Sequence, residues 1–92
     1  MSANLDAIIE ILNGIKDELT NLISLGKNTE KTDSRLSSQT TNLNKAIHTS
    51  EISEKDKTML EKFALTLQEG TTVKSLRYEK QDLERILANL ND

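Results

Sequence analysis

Apolar residues recur early in the chain at alternating steps of three and four: Leu5, Ile8, Leu12, Ile15, Leu19 and Leu22. That spacing lays them along one stripe of an α-helix. In heptad terms Leu5, Leu12 and Leu19 take position a, and Ile8, Ile15 and Leu22 take position d. Ile9 and Ile23 widen the stripe on one side, Ile11 and Leu25 on the other. So broad an apolar face has to be covered by several other helices. The pattern therefore predicts a helix over about 3–25 that belongs to a multi-helix core. Gly14, in mid-helix, reads first as an exposed and tolerated glycine costing roughly 0.5–1 kcal/mol against alanine, with close helix–helix approach as the alternative.

From Gly26 the character changes. Gly26-Lys27-Asn28-Thr29 has the composition of a helix stop, with glycine suited to the left-handed position after the last turn. Ser, Thr, Asn and Gln then prevail to Ser50, with Leu36, Leu43, Ala46 and Ile47 as apolar anchors. The heptad phase nevertheless continues through Gly26, Thr29, Asp33, Leu36, Thr40, Leu43 and Ile47. Two architectures follow. In one, a single helix runs from about 3 to 49 and spans roughly 70 Å, with a polar stalk at its centre. In the other, the chain breaks at 26–32 and a shorter second helix restarts near Thr32 or Asp33.

The remainder predicts a helical hairpin. Ser50 and Ser53 are candidate caps, with Glu54 and Asp56 near the positive helix start. Ile52, Met59, Leu60, Phe63, Ala64 and Leu67 form a buried face over about 52–69. Gly70 stops that helix, and Thr71 or Thr72 caps the next, over about 72–91. There Val73, Leu76, Leu83, Leu87 and Leu90 make the seam, with Lys80 as its one position that is not apolar; Tyr78 and Ile86 flank it. Glu79, Asp82 and Glu84 belong, on this reading, to a charged outer face. The fold class is all-α throughout: one domain over 1–92, with an oligomerisation helix (3–25), a polar stalk or loop-helix (26–50) and a hairpin (51–92).

Seam chemistry bears on association. Leucine at a with isoleucine at d disfavours two-stranded parallel coils and favours trimers or tetramers. Leu5, Ile8, Leu12, Ile15, Leu19 and Leu22 are accordingly the expected oligomerisation residues. Phe63, Leu67, Val73, Leu76, Leu83, Leu87 and Leu90 would close the hairpin or meet a partner. The opening Ala3-Asn4-Leu5 with its heptads resembles the tetrameric N-terminal coiled coil of caulimovirus virion-associated proteins, which implies the same association. The basic, proline-rich continuation of those proteins has no counterpart in a chain without proline.

Composition narrows the function classes. With no cysteine and a single histidine, His48, the chain offers neither thiol chemistry nor a metal-ligand set of His and Cys. Gly14, Gly26 and Gly70 stand too far apart for a phosphate loop. The carboxylate groups Asp17-Glu18, Glu51/Glu54/Asp56 and Asp82/Glu84 lack the spacing of a calcium loop and read as solvated helix surface. No cofactor, metal or enzymatic activity is therefore expected. No apolar run approaches the roughly 18–20 residues of a membrane span, and the start lacks a signal-peptide pattern. A cytoplasmic protein is expected, in the host cytoplasm or the virion if viral.

A net charge of −3 argues against a nucleic-acid backbone binder. Lys74, Arg77, Lys80 and Arg85 nevertheless fall along the last helix and would be the contacts if the protein were a small helical regulator of plasmid or phage type. Within that region Leu76-Arg77-Tyr78-Glu79-Lys80-Gln81-Asp82-Leu83-Glu84-Arg85-Ile86-Leu87 resembles the end of excisionase-type winged-helix domains. There an Arg-Tyr strand leads into a helix opening with Asp-Leu. The upstream helix–turn–helix of that fold has no counterpart here. The sequence is thus read as a self-associating scaffold, adaptor or assembly factor for a larger protein, of viral or phage accessory type. The alternatives are the nucleic-acid regulator and a monomeric helical inhibitor or immunity protein.

Overall fold

A computed structural model describes residues 3–26, 34–68 and 73–90 of the chain, and among these every regular element is helical. The helices are α1 (Ala3–Leu25), α2 (Ser34–Thr49), α3 (Glu54–Gln68) and α4 (Val73–Leu90). Thr29, Asp33, Gly70, Thr71 and Thr72 lie outside the described residues, as do the side chains of Val73 and Lys74.

Two local signals set the helix limits. Gly26 adopts φ +63°, and its N–H donates to the Ile23 carbonyl at 3.1 Å. This left-handed residue ends α1, and the continuous helix to 49 is not formed. At the start of α3, Ser53 is the cap. Its Oγ accepts from the Asp56 N–H at 3.2 Å, its carbonyl accepts from the Lys57 N–H at 2.9 Å, and Glu54 and Asp56 occupy the first turn.

The four helices close into a ring, α1 packing on α2 and α4, and α3 on α2 and α4. Neighbours run antiparallel. Gln39 lies over Gly14, and Arg35 pairs with Glu18 at 3.8 Å, so α2 descends as α1 climbs. Ser37 and Thr41 of α2 share a small cavity with Gln68 at the end of α3. Thr66 of α3 lines one cavity with Ser75 and Tyr78 of α4, whereas Lys55 and Met59 line another with Arg85 and Ile86. The result is an up-down-up-down four-helix bundle. Its longest dimension is 37 Å and its radius of gyration 12.6 Å, close to the ~12 Å of a compact domain this long. A 70 Å stalk has no place in that envelope.

The bundle encloses one core. Ile8, Leu12, Ile15, Leu19 and Leu22 of α1 are buried with Leu36, Leu43 and Ile47 of α2, Leu60, Phe63, Ala64 and Leu67 of α3, and Leu76, Leu83, Ile86, Leu87 and Leu90 of α4. Leu5 packs half-buried against its edge. Each buried leucine or isoleucine contributes about 1.5–3 kcal/mol, and α1 and α4 each supply five core residues. Thr40 continues the α2 seam and is also buried. Its Oγ1 donates to the Leu36 carbonyl at 2.8 Å, which satisfies the hydroxyl where a free one would be costly.

Gly14 corrects the sequence reading, for it is half-buried beneath Gln39 rather than exposed. A Cβ at Gly14 would lie 3.4 Å from Gln39 Nε2, the end of a flexible side chain. Gly14→Ala should therefore gain about 0.5–1 kcal/mol from helix propensity. Gly26→Ala meets no neighbour within 4 Å but must hold φ +63°, at a cost of roughly 1 kcal/mol or more. Opposite shifts of the urea midpoint would confirm both placements.

Candidate functional site

The least packed of the four seams is the one between α3 and α4, and a cleft of about 530 Å³ opens there. Its α4 wall is built by helical spacing. Ser75, Tyr78, Asp82 and Arg85 follow one another at steps of three and four, so they form one row on the flank of α4 that faces α3. Thr66 closes the cleft from α3. A second cleft of about 340 Å³ shares Thr66, Asp82 and Arg85 and continues past Phe63 and Met59 to Lys55 and Lys62. The groove thus runs along the helix pair, with Lys62 one turn from the shared Thr66 and Lys55 at the far end.

Glu79 lines the first cleft from below that row. It is 5% exposed, and its Oε2 is buried without a hydrogen-bond partner. Removal from water raises its pKa from 4.5 to about 7, because burial disfavours the charged carboxylate. On the rim Asp82 accepts from Arg85, three residues on. The phenol ring of Tyr78 stands mostly in solvent beside the mouth.

The sequence reading placed Glu79 on the outer face and Lys80 in the seam. The structure corrects the first: Glu79 is buried in a row with Leu76, Leu83, Ile86 and Leu90, while Lys80 is half-buried at the edge of the predicted seam, whose Leu87 is buried too. Both rows have heptad spacing and share Leu76, Leu83 and Leu90. Ile86 was the available clue, because Glu79 lies seven residues before it and therefore under the same angular position. Glu18 departs from expectation in the same way: it is buried in α1, while Asp17 is exposed as expected of solvated surface.

The remaining candidates separate. Leu5, Ile8, Leu12, Ile15, Leu19 and Leu22 face α2 and α4 within the chain, and Phe63, Leu67, Leu76, Leu83, Leu87 and Leu90 lie in the same core. Of the basic row, Arg77 is exposed, Lys80 borders the flank where Glu84 meets Lys16 at 4.0 Å, and Arg85 is held by Asp82 on the other flank. At about 100° per residue Lys80 and Arg85 point roughly 140° apart, with Arg77 between them at about 60° from Lys80 and 80° from Arg85. Arg77 and Tyr78 lie inside α4, not on the strand that the excisionase resemblance implies, because the heptad row carries the helix through them. His48 is exposed in the last turn of α2. Among the described residues no three His, Cys, Asp or Glu side chains are placed to hold a metal ion, and no helix is long and apolar enough to cross a membrane.

Compared with protein families, curated proteins and solved structures, the chain matches none.

Proposed function

We propose that this protein is a non-enzymatic helical binding module that works as a single folded chain and docks on a larger protein through the face formed by α3 and α4. The observation that carries this reading is the groove along those helices, the loosest seam of the bundle, with a buried carboxylate in its floor. Exposed Leu65 on α3 and Tyr78 on α4 add apolar surface on the same two helices, of the kind that enriches protein interfaces. This reading is nearest to the monomeric inhibitor that the sequence offered as an alternative, and it departs from the favoured self-associating scaffold or adaptor in needing no coiled-coil trimer or tetramer. Residues 3–25 serve the core of their own chain, and Leu25 is the only large apolar side chain of α1 that is exposed among the described residues.

Two measurements test the reading. Light scattering behind size exclusion should give the mass of one chain, 10.3 kDa; three or four times that mass would return the stripe to oligomerisation. A photo-crosslinking amino acid at Leu65, expressed in the native host, should trap a discrete larger protein, whereas the same group at exposed Lys45 on α2 should trap none. Equal yields at both positions would refute a dedicated α3–α4 face.

A further inference from the structure

From the geometry of the α3–α4 cleft we infer that it is a receptor for one basic side chain, an arginine or lysine of the docked protein, with Glu79 as the buried counter-ion. The inference rests on the docking face proposed above and names the chemistry that this face selects.

Three observations converge on a cation. Glu79 is more than nine-tenths buried, and its Oε2 has no partner, although a buried carboxylate oxygen ordinarily has one. The cleft above it, about 530 Å³, has room for a guanidinium or ammonium head with part of its stem. The wall residues suit the same guest. Asp82 adds a second carboxylate, Thr66 and Gln81 offer hydrogen-bond acceptors, and the Tyr78 ring lies beside the path of an incoming cation. Arg85, the one cation among the described residues that line this cleft, is engaged by Asp82 at the rim and leaves Glu79 unpaired. An anionic guest would meet Glu79 and Asp82 directly and is disfavoured by like charge.

A guest cation changes the state of Glu79. An opposite charge beside a buried carboxyl favours its ionised form, so binding should pull the Glu79 titration back toward the ordinary carboxylate range. A side chain that merely fills space would not. Discrimination against a neutral isostere follows from the same physics, since it cannot compensate the buried charge.

The test uses the full chain and a defined probe, N-acetyl-arginine methylamide, with the citrulline analogue as its neutral isostere. Followed by NMR, the arginine probe should give saturable amide shifts confined to Thr66 and the Ser75–Arg85 stretch, and should lower the Glu79 carboxyl pKa. The citrulline analogue should bind at least about tenfold more weakly, and Glu79→Gln, checked for retained helicity, should weaken the arginine probe by a similar factor. Equal response to the two probes, undiminished binding by Glu79→Gln, or no saturable shift would each overturn the inference. A Leu65 crosslink in the absence of arginine binding would sink the inference and leave the docking face standing. Arginine binding with no Leu65 crosslink would do the reverse.

Discussion

Leu12→Asp should leave this chain largely unfolded. Leu12 is completely buried at the centre of α1, so the substitution removes about 1.5–3 kcal/mol of apolar burial and adds a carboxylate with no partner in an apolar core. The second effect is the larger, because an unpaired buried charge costs several kcal/mol even after relaxation. A domain of this length holds roughly 5–14 kcal/mol of stability in total, and the two losses together consume most of it. Circular dichroism should therefore show helicity collapsing without a cooperative thermal transition. Leu12→Ala, at a cost of about 2–5 kcal/mol, should stay folded with a lower midpoint that does not depend on protein concentration, as a core closed within one chain requires. Glu10→Gln, at an exposed position of α1, should shift the midpoint by no more than about 0.5 kcal/mol. Intact helicity with Leu12→Asp would mean that the α1 stripe is not core.

The second large effect is the pH dependence that Glu79 imposes. Below pH 4.5 its carboxyl is protonated in folded and unfolded chains alike and adds no charge penalty. As pH rises past 4.5 the unfolded chain releases the proton while the folded chain, with its pKa near 7, keeps it. The unfolded state is thereby favoured, and stability falls until the folded carboxyl also ionises near pH 7. At roughly 1.4 kcal/mol per pH unit, the displacement from 4.5 to about 7 sets a ceiling near 3 kcal/mol. Glu79→Gln should accordingly match the parent at pH 4 and exceed it by about 1–3 kcal/mol at pH 8, measured by urea unfolding across that range. Because the prediction concerns the difference between two chains, the other carboxylates cancel. A difference that stays flat with pH would show that Glu79 is hydrated in solution.

Both predictions concern seam positions, and only one of them was legible in the sequence. For α1 a single row of leucine and isoleucine satisfies the heptad, and the flanking isoleucines only widen it, so Leu12 could be assigned to the buried face from spacing alone. For α4 the apolar residues Leu76, Leu83 and Leu90 belong to two rows at once. One passes through Lys80 and Leu87, the other through Glu79 and Ile86. Periodicity cannot choose between them, and each carries one charge. The choice falls to the neighbours: α1 covers the Leu87 side and brings Lys16 toward Glu84, while α3 covers the Ile86 side and traps Glu79 beneath the cleft. A lysine at such an edge can extend its ammonium to water. The shorter glutamate cannot, and stays in the floor.

By itself, then, the sequence determined that the chain is helical and which stripe of α1 is apolar, because helix spacing acts within a few residues; it left the α4 face open between two rows and the stretch 26–32 open between helix and break. Thr40 shares a heptad row with Leu36, Leu43 and Ile47, yet its polarity placed it in a stalk or loop-helix; only the bundle shows it buried, with its hydroxyl turned to the Leu36 carbonyl. The tertiary structure alone decided where those faces went. A leucine stripe gains the same burial against a second copy as against the helices that follow it in its own chain. In this bundle α2 and α4 supply the complementary faces and the chain closes on itself. It also decided that the ring would close least tightly between α3 and α4, where Thr66, Ser75 and Tyr78 line an open cleft. The candidate site lies in that looser seam, and it exists only because two helices distant from the stripe are brought side by side.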